Sequence, residues 1–283
     1  MNLIVISELF PPEETSTAYI MGEITKTLSD KYNVTIVCGP EVYDQNKLTV
    51  LPKSSLIAGV TTIRVKGIKE NKANKLSRIR KFLLMSWRIY KASKKVINKG
   101  DKVLLVSNPF PLLILMAFHR KKMDYEISFL AHDLFPEPLL MRFKLPNLVY
   151  RQCLNIFNRS YARMDKIISL GRDMTDVLRE KTMPYNPNLE IIQIENWGDI
   201  NSIYPMDTHS DSDKITIEYA GNMGKSQKLD ALIEIFSKAN NKDLYLDFWG
   251  TGEQESYLKE KAQSVSNISF HGPYARASQN KVL

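Results

Sequence analysis

Residues 215–236, "ITIEYAGNMGKSQKLDALIEIF", pass from an apolar run through Gly221-Asn222-Met223-Gly224 into a segment with helical spacing of leucine and isoleucine. Strand, glycine turn and helix in that order expose main-chain N–H groups at a helix start, where the helix dipole also favours an anion. Lys225 and Lys228 follow at once and add mobile positive charge suited to a diphosphate. The plainer reading of the same residues is a tight βα turn with two solvated lysines. Neither G-x-G-x-x-G nor G-x-x-x-x-G-K-[ST] occurs, which removes the main support for a dinucleotide-binding or P-loop site.

The next junction, "DFWGTGEQESYLKEKA" at 247–262, repeats the pattern: Gly250-Thr251-Gly252 follows a strand and opens a helix. Glycine there lets a ligand approach the main chain closely. "NISFHG" at 267–272 supplies a third strand. Adjacent strands ending in glycine turns mark the carboxyl edge of a parallel sheet, which is where ligands sit in open α/β sheets.

Upstream, "NLIVISELF" at 2–10 is an apolar run closed by Pro11-Pro12, the pattern of a strand buried on both faces. A helical stretch, "YIMGEITKTLSD", and a second run, "NVTIVC", complete a βαβ unit and predict a parallel sheet. "TTIRVKG", "VLLVSNP", "YEISFLAHD", "DKIISLG" and "EIIQIENWGD" continue the strands, with helices between them. One of these helices, "RDMTDVLREK", has Asp173 in its first turn. Residues 201–214, "NSIYPMDTHSDSDK", are polar and aperiodic and read as a linker. The fold class is α/β: two Rossmann-like, doubly wound parallel-sheet domains, at 1–200 and 201–283.

Composition sets bounds on function. The chain is 43% hydrophobic and 25% charged, as in an ordinary soluble globular protein, and no run approaches the roughly twenty apolar residues of a membrane span. "MNLIVISELFPP" lacks the basic flank and cleavage site of a signal peptide and reads as a first core strand. Cys38 and Cys153 read as two reduced thiols of a cytoplasmic protein, and no Cys/His spacing suggests zinc. The net charge of +8 points to an anionic partner: nucleic acid, anionic lipid or a phosphorylated ligand.

Much of that charge lies in residues 71–102, where eleven Lys or Arg face the single acid Asp101. Leu76, Ile79, Leu83, Trp87 and Tyr90 fall on one helical stripe. The stretch reads as a solvated face or as a basic amphipathic helix at an anionic membrane, where each basic residue contributes about 1 kcal/mol. No recognisable nucleic-acid-binding fold accompanies the charge, so nucleic acid is not expected as a partner. His132-Asp133 closes a strand. A histidine there is placed to take a proton from an incoming hydroxyl or to hydrogen-bond to it, with Asp133 orienting the ring. The plainer alternative is a strand-end histidine satisfied by main chain. The triplet Asp211-Ser212-Asp213 resembles a metal-binding D-x-D, but its place in the linker reads as loop chemistry.

Taken in order, "ELFPPEETSTAYI", "SNPFPLLI", "HDLFPE", "IISLGRDMTDVL", "IENWGD", "YAGNMGKSQKLDALI" and "FWGTGEQ" run the length of the chain. In this the chain resembles the family 4 retaining glycosyltransferases of the GT-B fold, of the kind that assemble bacterial capsule, O-antigen and exopolysaccharide. The resemblance implies two domains facing a cleft. A nucleoside-diphosphate sugar would be bound by the second domain and a saccharide acceptor, often lipid-linked, by the first. Transfer would proceed with retention and without metal or other cofactor. Lys228 and Lys225 would meet the diphosphate with Asn222 and Gly224 at the turn, and Gly250 and Gly252 would pass close to the nucleoside. His132 with Asp133 would face the reacting sugar, and Glu13, Glu14, Thr15 and Ser16 would line the acceptor cleft. A lipid-linked acceptor agrees with a peripheral protein at the inner face of the cytoplasmic membrane, held through residues 71–102.

The family's pair of glutamates eight positions apart does not occur, and where relatives carry glycines after the first strand this chain has Glu14-Thr15-Ser16. Asn222 stands where relatives often have arginine. From near residue 205 the second domain has about 80 residues, against a typical 100 to 150. The expectation is therefore a chain truncated in its second domain, whose strand "ITIEYAG" is left with an open apolar edge. The alternative function is an inactive, membrane-associated or sugar-binding remnant of such an enzyme.

Overall fold

The computed structural model describes residues 1–13, 15–41, 57–68, 75–138, 146–198, 203, 214–239, 241 and 243–274, without the side chains of 75, 76 and 78. The chain divides into two compact units, Met1–Asn196 and Trp197–Leu283. Asp211-Ser212-Asp213 and Glu14 lie outside the described residues.

In the first unit the elements alternate along the chain. They are β1 (Asn2–Ser7), α1 (Ser16–Ser29), β2 (Asn33–Cys38), β3 (Thr61–Arg64), α2 (Lys75–Ser93), β4 (Lys102–Val106) and α3 (Pro111–Arg120). Then follow β5 (Glu126–Ala131), α4 (Asn147–Tyr161), β6 (Lys166–Ser169), α5 (Arg172–Thr182) and β7 (Glu190–Gln193). The seven strands form one sheet in the order β3-β2-β1-β4-β5-β6-β7, with every pairing parallel.

The central strands are apolar at nearly every position because both faces are covered. Ile4, Ile6, Val103, Leu105, Ile127 and Phe129 pack on Met85 and Ile89 of α2, Leu112 and Met116 of α3, and Phe157 and Tyr161 of α4. The alternate residues Leu3, Val5, Val34, Ile36 and Leu104 turn to the opposite face with Met21 and Ile24 of α1. Strand order reverses between β1 and β4, so the switch point where open α/β sheets bind ligands falls at their carboxyl ends.

In helix α2 most of the expected stripe faces outward, while Tyr90 packs partly against the core. Ile79, Leu83 and Trp87 are 40%, 55% and 49% exposed, while Met85 and Ile89 are 1% and 0% exposed and face the sheet. The buried Ser86 and Ser93 donate their hydroxyls to the carbonyls of Phe82 and Ile89 one turn back, at 2.7 and 2.9 Å, which makes a polar residue tolerable on the inner face. The outward stripe is therefore an apolar surface without a partner among the described residues. No helix among them is long and apolar enough to cross a membrane.

The second unit contains β8 (Ile215–Ala220), a 3-10 turn at Lys225–Gln227, α6 (Leu229–Ala239), β9 (Leu244–Trp249), α7 (Glu255–Ala262) and β10 (Ile268–Gly272). Its three-stranded parallel sheet has the order β10-β9-β8. Met223, Leu246, Phe248, Ile233, Phe236 and Leu258 form its core beneath α6 and α7. β8 is an outer strand among the described residues, with Ile215 and Ile217 62% and 42% exposed.

Candidate functional site

At the carboxyl edge of the first sheet, main chain and side chains form one connected series. Glu8, buried just past β1, donates its N–H to Asn108 O at 3.2 Å, and its carbonyl accepts Gly39 N–H at 3.0 Å. A side chain at 39 is excluded, since its Cβ would stand 2.5 Å from Glu8 O. Arg64, at the end of β3, donates to Pro11 O and to Gly39 O (3.5 Å for the latter), tying the loops after β1 and β2 to the outermost strand. Beside it, burial pushes the Cys38 thiol up to about 11.

His132 and Asp133 stand just past β5. Burial lowers the His132 pKa, with Asp133 opposing the shift, so the imidazole is neutral near pH 7. Its Nε2 is buried and makes no hydrogen bond among the described residues. The expected orientation of the ring by Asp133 is not what the structure shows. Asp133 instead accepts Asn108 Nδ2 on Oδ2 at 3.1 Å, and its own N–H donates to Ser107 Oγ at 3.1 Å. Farther along this loop, Tyr161 Oη accepts Phe135 N–H at 3.0 Å and donates to Phe135 O at 3.2 Å. The buried Lys181 pairs with Glu137. The histidine thus keeps a buried, neutral acceptor nitrogen without a partner among the described residues, on a loop fixed from behind.

The acceptor candidates sit past β1. Thr15 is the N-cap of α1, its Oγ1 accepting Ala18 N–H at 3.2 Å, and Ser16 is the first helical residue. This capping accounts for Thr15 structurally. Glu13 donates its N–H to Phe10 O at 3.3 Å in the preceding turn.

In the second unit the glycine turns are built around one another. A Cβ on Gly250, whose φ is +118°, would lie 2.0 Å from Gly221 O, and one on Gly252 would lie 2.4 Å from Met223 O. Gly221 N–H donates to Trp249 O and Met223 N–H to Thr251 O, both at 2.9 Å, and Gly250 N–H donates to Gly272 O at 2.7 Å. Gly224 N–H turns back to Asn222 O at 3.0 Å. Close main-chain contact between the two turns is therefore one reason for glycine at 250 and 252. Met223, fully buried, anchors the first turn in the core.

What this edge offers an anion is side-chain charge. Lys225 and Lys228 are exposed and make no ion pair among the described residues. Lys228 is the one non-glycine among them with positive φ, at 49°. A lysine held in the left-handed region costs about 1–2 kcal/mol. Asn222 is exposed beside them, and the Gly224 main chain is buried.

Sequence reasoning passed over Glu8, Arg64, Ser107, Asn108, Tyr161 and Gly272. Only Glu8 and Asn108 carried a usable signal, because they follow the two strands that flank the switch point.

No protein-family model matches the chain. Over 99% of its length it is 22% identical to the probable glycosyltransferase WbjE of Pseudomonas aeruginosa, of which it covers 70%. Among solved structures it resembles the lipopolysaccharide outer core galactosyltransferase WaaB in its apo form (12% identity, TM-score 0.56, covering all of this chain and 71% of the other). It also resembles Anabaena HepE in complex with UDP and glucose (13%, TM-score 0.57, 98% and 70%). A third likeness is to Staphylococcus aureus TarM in complex with UDP and α-GlcNAc-glycerol (11%, TM-score 0.62, 99% and 79%). The α/β fold expected from the sequence, two Rossmann-like parallel-sheet units of GT-B type, is the fold these likenesses show.

Proposed function

We propose that the chain is a glycosyltransferase that moves a sugar from a nucleoside diphosphate to a saccharide acceptor. We read the transfer as retaining and the acceptor as a lipid-linked saccharide of surface polysaccharide synthesis. The observation that carries the reading is the alignment of 99% of the chain with a probable glycosyltransferase. Two chemically apt edges support it: a neutral, unpartnered His132 on one unit and the unpaired Lys225 and Lys228 on the other.

In this reaction the bond between the anomeric carbon and the phosphate oxygen breaks, and the acceptor oxygen bonds that carbon as its proton passes to the departing diphosphate. Negative charge grows on the departing diphosphate, where preorganised positive charge contributes most to rate. Lys225 and Lys228, with Asn222, supply that charge and polarity. His132 accepts a hydrogen bond from the reacting sugar, and Asp133, fixed by Asn108 and Ser107, presents a carboxylate beside it. Glu13 to Ser16 border the acceptor.

The outward stripe of α2, with Arg80, Arg88 and Lys91 exposed around it, suits a helix lying on an anionic membrane at the inner face of the cytoplasmic membrane. The test is release of nucleoside diphosphate from a panel of UDP-, GDP- and dTDP-sugars, with titration calorimetry of the corresponding diphosphates. Binding of one diphosphate together with turnover supports the enzyme. Binding without turnover points to a sugar-binding remnant, and no binding at all refutes the donor site. Flotation with anionic but not neutral vesicles, lost in Leu83→Ser/Trp87→Ser, tests the membrane reading.

A further inference from the structure

Beside α2 the outermost strand β3 is left partly uncovered, and a cavity of about 520 Å3 opens there. That volume is within the roughly 300–1,000 Å3 of ligand pockets. Its floor is aliphatic, built from Ile63 and Val65 at the end of β3 and Ala92 and Val96 on α2. Its rim carries Lys66, Arg88, Lys91 and Lys95, and no carboxylate among the described residues lines it. Arg88 Nη1 donates to Lys66 O at 2.8 Å and Gly67 O at 2.9 Å, so the guanidinium is held at the rim.

We propose that this cavity binds a single anionic phospholipid, the phosphodiester against the four cations and the first methylenes on the aliphatic floor. This deepens the membrane part of the proposed function and rests on it. Charge complementarity selects the occupant: four cations with no carboxylate among the described lining residues favour an anionic headgroup over a neutral or zwitterionic one. The apolar floor distinguishes the site from one for free phosphate, and the lack of aromatic rings in the lining removes the stacking surface a nucleic acid would use. Trp87 and Leu84 stand one and four residues before Arg88 on the same helix and are exposed, so acyl chain leaving the cavity meets apolar surface.

The experiment titrates the full chain with dihexanoylphosphatidylglycerol below its micelle concentration, followed by calorimetry. Dihexanoylphosphatidylcholine and glycerol phosphate serve as parallel arms. Saturable one-to-one binding of the phosphatidylglycerol alone is expected. Each cation near an anionic headgroup contributes a factor of about five, so Lys91→Gln/Lys95→Gln weakens binding about 25-fold. Both side chains are exposed, so the double variant keeps its circular dichroism. Ala92→Phe, which fills the floor, abolishes binding while flotation with anionic vesicles persists. Equal binding of glycerol phosphate or of the phosphatidylcholine, no binding at all, or indifference to both variants overturns the proposal. If vesicle flotation survives such a result, only this inference fails; if flotation is also absent, the membrane reading fails with it.

Discussion

Replacing Gly250 with alanine tests whether the two glycine turns of the second unit are mutually packed, as the structure has them. Two costs add. Alanine at φ +118° costs about 1–3 kcal/mol in backbone strain. Its Cβ would also stand 2.0 Å from Gly221 O, with the Gly221 carbonyl carbon at 3.0 Å, so one turn must move by more than an ångström. That movement breaks or bends the bonds from Gly221 N–H to Trp249 O and from Gly250 N–H to Gly272 O, each contributing about 1 kcal/mol net. The total is about 4 kcal/mol, a large share of the stability of any small unit.

Gly272→Ala is the control. Its φ of +79° carries comparable strain, yet nothing lies within 4 Å of the added Cβ. The assay is urea unfolding followed by tryptophan fluorescence, in which Trp197 and Trp249 report on the second unit and Trp87 on the first. Gly250→Ala should shift the second-unit transition to markedly lower urea and leave the first in place, and Gly272→Ala should shift it much less. Equal shifts for the two variants would show that the turns do not pack as described.

Lys228→Gly should separate stability from binding. Relief of a left-handed lysine raises stability by about 1 kcal/mol, while loss of one charge-assisted contact weakens nucleoside diphosphate binding about tenfold. An unchanged calorimetric affinity would clear Lys228 of the donor role. Tyr161→Phe leaves both polar groups of Phe135 without their partner, which costs about 2 kcal/mol, and should speed hydrogen exchange of the Phe135 amide; unchanged exchange would contradict the anchoring. His132 and His119 both have pKa values lowered by burial from 6.5, His119 further by Lys94 and Lys122. Below pH 6.5 the unfolded chain binds protons the folded one resists, so stability falls from that point down through the lowered values. His132→Gln should flatten part of that slope in a pH series of urea midpoints, and an identical slope would show the ring to be solvated.

The sheets were legible because buried parallel strands are written as unbroken apolar runs, and "NLIVIS" or "VLLV" admits few other readings. The inner face of α2 was not. Its outward residues Ile79, Leu83 and Trp87 are as apolar as Met85 and Ile89, and the inner face also carries Ser86 and Ser93, so periodicity showed the outward stripe and left the inner one unread. In the second unit the sequence singled out Gly250 and Gly252 as places of close approach to the main chain. One reason lay in the pairing of β8 with β9, which brings Gly250 against Gly221 from 29 positions away. The partner of Asp133 was hidden in the same way: Asn108 reaches it from the neighbouring strand end, 25 residues earlier. Adjacency in sequence suggested His132, and the bonds of Asp133 run instead to Asn108 and Ser107.

The bonds from Arg64 through Gly39 and Glu8 to Asn108 and Asp133 cross the rim from β3 to β5 as a continuous girdle, made largely of main-chain atoms. A rim stitched in that manner does not reshape itself around whatever arrives. Discrimination among incoming molecules then falls to the few side chains that project from it, and exchanging those residues retunes what is accepted without rebuilding the scaffold underneath.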